Sequence, residues 1–143
     1  MSSGRVAGAV NAGEELAQGC VREMAEETGL QVEYVATVGF RELPNAMHGK
    51  GNLFFMCLCK LVGAGEIVMQ AEELAAAKWM PIDEVMALPY YQGVGAYGTL
   101  MRASLTAARV ETSGLERRRL PVSHDPTRGE HTIYVPRARL GEW

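Results

Sequence analysis

The stretch EELAQGCVREMAEET, residues 14–28, limits what this chain can fold into more than any other. Leu16, Cys20, Val21, Met24 and Thr28 recur at helical spacing and predict an apolar stripe that must lie on a core. Glu23, Glu26 and Glu27 stand at i, i+3 and i+4, so three carboxylates project from one side of the same helix. Three anions within one turn repel each other, and their packing costs stability unless a cation joins them. Mg²⁺ suits such a face: it takes oxygen ligands, keeps some of its waters and bridges carboxylates to phosphates. Runs such as EMAEE are common on solvated faces, where Arg22 would simply pair with Glu26, and the run alone favours that reading.

The flanking residues set the helix ends. Glu14 and Glu15 complement the dipole at its start, and Gly29 is a left-handed stop. Beyond it, Val32–Phe40 and Leu53–Leu61 are rich in β-branched and aromatic residues and predict two strands. The segment between them, with Pro44, Asn45, Gly49 and Gly51, is long for a hairpin loop. Residues 75–80 form a strand candidate with Trp79 as a core anchor, although so Ala-rich a stretch could equally be helical; Pro81 opens a short helix over 82–88, and residues 96–110 predict an amphipathic helix. From residue 111 the composition turns polar and proline-rich, with a strand-like period only over His131–Val135, so 111–143 is expected as a loosely ordered tail.

Composition narrows the function classes. A net charge of −3 gives no global attraction to nucleic acid or anionic membrane. The Arg117–Arg119 cluster beside Glu116 is expected to be a solvated tail, so nucleic acid is not the expected partner. No stretch approaches the roughly 18 apolar residues of a membrane span, and the first residues do not resemble a signal peptide, which leads to a cytoplasmic expectation. Cys20, Cys57 and Cys59 lack further ligands at zinc spacing and are expected as reduced core thiols, with Cys57 and Cys59 on one strand face.

The spacing of the whole stretch decides between the two readings of the acidic face. From Gly8 the chain reads GAVNAGEELAQGCVREMAEETGL, in which Gly8, Glu14, Arg22, Glu23, Met24, Glu26, Glu27, Gly29 and Leu30 fill every specified position of G-x5-E-x7-R-E-U-x-E-E-x-G-U, U being apolar. A chance match at one start point is on the order of one in 10⁹. The chain thereby resembles the Nudix hydrolases, over Gly8 to about Val110. The runs VATVGFRELPNAMHGKGNLFFMCLCKL and EELAAAKWMPIDEVMALPY look like the subfamily of plant cytosolic ADP-ribose/NADH pyrophosphatases and their animal relative antisense to a fibroblast growth factor. Asn52, Ala75 and Ala7 stand where that subfamily usually has Asp, Glu and Gly.

The resemblance implies an α/β fold: a Nudix α/β/α sandwich with a mixed sheet, over residues 1–110. Because seven residues precede Gly8, this sheet is expected to be truncated at its N-terminal side. The implied activity is Mg²⁺-dependent hydrolysis of a nucleoside diphosphate derivative, ADP-ribose or NADH first, with Mn²⁺ as the alternative ion. Glu23, Glu26 and Glu27 would hold the metal, Arg22 would orient them, and Glu27 or Glu73 would act as general base. Gly8 would let backbone approach the site and Glu14 would fix the loop. Arg41 and His48 are the candidate substrate contacts. The expected partner is a small nucleotide; the oligomeric state stays open, with a homodimer as one possibility. Two alternatives stay open: another nucleotide substrate, and a Nudix shell that binds or regulates with little catalysis.

Overall fold

The computed structural model describes residues 2–3, 6–44, 49–68, 77–92, 96–110, 114–121 and 130–136. The elements run β1 (Ser2–Ser3), α1 (Leu16–Thr28), β2 (Val32–Leu43), β3 (Asn52–Leu61), β4 (Met80–Pro81), α2 (Ile82–Ala87), α3 (Pro89–Gln92), α4 (Ala96–Ala107), β5 (Leu115–Pro121) and β6 (Glu130–Pro136). Glu15 is the residue before the first turn of α1, and its N–H donates to Gln18 Oε1 at 2.9 Å. This bond satisfies a donor next to the open end of the helix. At the other end Gly29 takes φ +69° and donates to the Ala25 carbonyl at 2.9 Å, the left-handed stop that its lack of a side chain allows.

β2 and β3 form a long antiparallel hairpin from Val32↔Leu61 to Leu43↔Asn52, with register irregularities at Tyr34/Ala36 and Thr37/Gly39. Side chains alternate along a strand, so β3 serves two layers at once. Cys59 meets Cys20 of α1, with Sγ atoms 3.4 Å apart. Met56 packs against the cluster of Ile82, Val85, Met101 and Leu105 from α2 and α4. The hairpin therefore has α1 on one face and the α2–α4 cluster on the other. At Gly39 of β2 a Cβ would lie 2.9 Å from Leu100 Cδ1, so α4 packs closely over that position.

β5 joins the free edge of β2 through Thr37↔Leu115, giving the order β3-β2-β5-β6, and β1 pairs separately with β4. The entry to β5 depends on Gly114, at φ +92°, where a Cβ would stand 2.7 Å from the Thr37 carbonyl oxygen. The fold class is α/β. Every pairing among the described residues is antiparallel, in place of the expected mixed sheet. The physical reason is connectivity: β2–β3 and β5–β6 are adjacent antiparallel pairs, and parallel neighbours would require a crossover.

Two further expectations change. The stretch expected as a loose tail carries β5 and β6, paired from Leu115↔Pro136 to Pro121↔Glu130. Ladder hydrogen bonds belong to the backbone, and consecutive arginines at 117–119 hide them from any reading of apolar periodicity. Trp79 is not a core anchor. It is 36% exposed, and its indole N–H donates to the Gly65 carbonyl at 2.7 Å. The polar end of the ring is satisfied by a loop carbonyl, with no need for burial.

The α2–α4 cluster should dominate stability on its side of the sheet. Leu105→Ala is expected to cost about 2–5 kcal/mol in urea unfolding, from lost burial and the cavity left behind. Val110→Ala, at a position 50% exposed, should stay within roughly 0.5 kcal/mol.

Candidate active site

The acidic face of α1 is organised by a single cation. The Arg22 guanidinium owns five N–H groups. Nε donates to Glu14 Oε1 at 2.8 Å, and Nη1 donates to both Glu23 Oε1 and Glu26 Oε2 at 2.8 Å. Nη2 donates to the Ala9 carbonyl at 2.8 Å and to Glu14 Oε2 at 3.0 Å. Each N–H therefore has an acceptor. Two acceptors, Glu23 and Glu26, come from the helix; Ala9 and Glu14 come from the segment before it.

That segment is folded so that it can reach the helix. Asn11 N–H donates to Glu14 Oε2 at 2.9 Å, and Glu14 N–H donates to the Asn11 carbonyl at 3.1 Å, closing a turn. Glu14 then lies over Gly19 of α1, where a Cβ would be 3.1 Å from its Oε2. Gly8 has the tightest approach: a Cβ there would stand 1.9 Å from Glu23 Cδ. A side chain at position 8 and Glu23 as placed cannot coexist, so glycine is what allows the backbone to lie against the carboxylate.

Electrostatics follow from this geometry. The Arg22 hydrogen bonds, with help from the Asn11 N–H, hold the Glu14 carboxyl down from its ordinary 4.5 to about 2. Glu14, Glu23 and Glu26 in turn keep the guanidinium even more firmly protonated than usual. Three carboxylates still outnumber one guanidinium, and Glu27, 7% exposed on the same helix, adds a fourth. None of the five Arg22 bonds above goes to Glu27.

The donor set suits a hard divalent cation by its chemistry: carboxylate oxygens on one helix side, excess negative charge, and backbone admitted at Gly8. In the described arrangement Glu23 and Glu26 gather on an Arg22 nitrogen. Among the described residues no three Cys, His, Asp or Glu side chains are grouped as a metal site. An open cleft of about 740 Å³ borders the hub, lined by Asn11, Glu14, Gln18, Arg22, Tyr34 and Arg117 among others; Glu23, Glu26 and Glu27 do not line it.

The other sequence candidates fall elsewhere. The Arg41 guanidinium lies over the Phe54 ring, 5.5 Å from its centroid, within the β2–β3 hairpin. His48 and Glu73 lie outside the described residues. One contact that the sequence reading missed is Arg117 of β5, whose Nε donates to Glu15 Oε2 at 2.7 Å. It ties the start of α1 to the strand expected as tail. The partners are 102 residues apart, so local spacing carried no signal of the pair.

Residues 3–100 match the family model described as NUDIX domain. The chain is 42% identical to "Nudix hydrolase 2" of Arabidopsis thaliana over 85 residues, which are 59% of this chain and 30% of that protein. It is 38% identical to "Nudix hydrolase 8" of the same plant over 86 residues, 60% of this chain and 23% of the relative. It is 34% identical to "NAD-capped RNA hydrolase NudC" of Stutzerimonas stutzeri (strain A1501) over 95 residues, 64% of this chain and 32% of the relative. The chain thus covers a third or less of the length of each of these relatives.

The depressed Glu14 carboxyl has a consequence for stability. A lowered folded-state pKa stabilises the fold above the unfolded value and loses that contribution as pH falls through the folded value. Stability measured by chemical unfolding should therefore decline between pH 4.5 and about 2. Glu14→Gln should flatten that decline; an unchanged slope in the variant would mean that the Arg22–Glu14 pair does not hold in solution.

Proposed function

The chain belongs to the Nudix family, and from that premise we propose that it hydrolyses the pyrophosphate bond of a nucleoside diphosphate linked to another group. The observation that carries this reading is the Arg22 hub, which draws Glu14, Glu23 and Glu26 into one network beside Glu27. In this reading Glu23, Glu26 and Glu27 hold Mg²⁺, with Mn²⁺ as the alternative. A divalent cation bound there neutralises phosphate oxygens and lowers the pKa of a coordinated water.

The chain's own groups have separable tasks. Arg22 fixes the rotamers of Glu23 and Glu26 and pins the 8–14 segment against the helix. Glu27 is one candidate to accept a proton from the attacking water and Glu73 is the other. Water oxygen bonds to phosphorus as the bridging P–O bond breaks. The leaving phosphate carries the electron pair of that bond, giving AMP and a phosphorylated remainder when the nucleoside is adenosine.

ADP-ribose and NADH are the preferred substrates. Support comes from the likeness of residues 35–61 and 72–90 to the ADP-ribose/NADH pyrophosphatases, and from relatives whose names specify an NAD-capped RNA. A second reading has its own observation. Glu23 and Glu26 are engaged by Arg22, an arrangement that also suits a Nudix shell that binds or regulates with little catalysis.

Purified chain incubated with Mg²⁺ and ADP-ribose, NADH or NAD-capped RNA separates these readings. Chromatographic AMP release is expected for ADP-ribose and NADH, with kcat lowered at least about a hundredfold by Glu27→Gln. Absence of AMP that Glu26→Gln and Glu27→Gln leave unchanged defeats the hydrolase reading; nucleotide binding in that case supports the second. Gly8→Ala should also lower kcat, because its methyl group displaces Glu23. Its urea midpoint should stay near that of the parent, since Gly8 is exposed.

A further inference from the structure

The three cysteines meet across two layers of the fold. Cys20 projects from α1, two residues before Arg22, and Cys57 and Cys59 project from β3. Cys20 Sγ lies 3.4 Å from Cys59 Sγ, and Cys57 Sγ lies 4.0 Å from Thr37 Oγ1. All three are free and half-buried. Buried thiols serve as small hydrophobes and need no further explanation when they stand apart. Here two of them, 39 positions apart in the chain, are in direct sulfur contact. The separation is within reach of side-chain motion toward the ~2.05 Å of an S–S bond.

The surroundings also make the two sulfurs unequal. Hydrogen bonds from Cys57 and Cys59 pull the Cys20 thiol below its ordinary range, despite the opposing effect of burial. Interaction with Cys20, together with burial, pushes Cys57 and Cys59 up. Ionisation of Cys20 is thus favoured by its two neighbouring thiols.

We propose that Cys20 and Cys59 are a peroxide-oxidisable pair, forming a reversible intramolecular disulfide that fastens α1 to β3. The oxidant is hydrogen peroxide. The Cys20 thiolate attacks one peroxide oxygen, an S–O bond forms, the O–O bond breaks and hydroxide leaves. Cys59 sulfur then attacks Cys20 sulfur; the S–S bond forms, the S–O bond breaks and water leaves with the Cys59 proton. Both sulfurs are oxidised and the peroxide is reduced: two thiols and one peroxide give one disulfide and two waters. The bond would hold the helix that carries Arg22, Glu23, Glu26 and Glu27. The assignment does not depend on what the acidic face catalyses.

The test uses the full chain treated with hydrogen peroxide, alkylated, digested without reductant and read by mass spectrometry. The expected product is a Cys20–Cys59 linked peptide pair lacking two hydrogens, with Cys57 alkylated and the link reversed by dithiothreitol. Cys57→Ser should retain the link and Cys20→Ser should abolish it. A Cys57–Cys59 link, links only between molecules, or Cys20 driven to sulfinic or sulfonic acid without a link overturns the proposal. The parent chain alone gives this readout, so a variant that fails to fold does not remove the test.

Discussion

The Arg22 guanidinium sets the geometry on which the acidic face of α1 depends. Three carboxylates within one turn have no reason to hold fixed positions unless something attracts them. Arg22 supplies that attraction through a planar fork, taking Glu14 at two nitrogens and Glu23 and Glu26 at a third. Lysine has the charge but only three N–H groups on one nitrogen, too few for these five bonds. Isolated exposed ion pairs contribute little, and the worth of this one does not rest on stability alone. The Nη2 bond to the Ala9 carbonyl brings backbone from before the helix into the same network, so a single side chain aligns helix and loop.

The sheet explains how that helix is held. β3 turns Cys59 toward α1 and Met56 toward the α2–α4 cluster, so one strand links the layer bearing the carboxylates to the best-buried apolar cluster. The C-terminal end of α1 is secured as well: Val68 N–H donates to the Thr28 carbonyl at 2.9 Å, just before the Gly29 stop. At the opposite end Arg117 of β5 grips Glu15. The helix is thus tied at both ends and along its thiol-bearing side, while Arg22 and its acceptors occupy another.

What could be read from the sequence follows the range of the interactions. The helix, its glycine stop and the extended character of β2 and β3 each arise from residues within a few positions of each other, where periodicity is informative. The placement of Cys57 and Cys59 on one face was legible for the same reason; that Cys20 meets them was not. β5, the Arg117–Glu15 pair and the surface position of Trp79 all depend on contacts between distant segments. β5 was the hardest to see, because three consecutive arginines mask its period, and because its bridge to β2 depends on Gly114 meeting the Thr37 carbonyl. The full match of Gly8–Leu30 to one pattern carried the family, whereas the strand pairing order had no local signature.

The donor count at Arg22 separates the carboxylates into two kinds. Its five N–H groups are consumed by Glu14, Glu23, Glu26 and the Ala9 carbonyl. A divalent cation entering this face would compete with Arg22 for Glu23 and Glu26, since both carboxylates accept from the same nitrogen. Glu14 is positioned differently: held by two Arg22 nitrogens and the Asn11 N–H, it can keep the guanidinium anchored while the helix carboxylates turn to another partner. In such an exchange Arg22 would give up its Nη1 acceptors and keep those of Nε and Nη2, which belong to the segment before the helix. Glu27 differs from them in burial: it is 7% exposed, where Glu23 is half-buried and Glu26 exposed. Its carboxylate is the one of the three most withdrawn from bulk water, and that is the physical difference a task distinct from theirs would draw on.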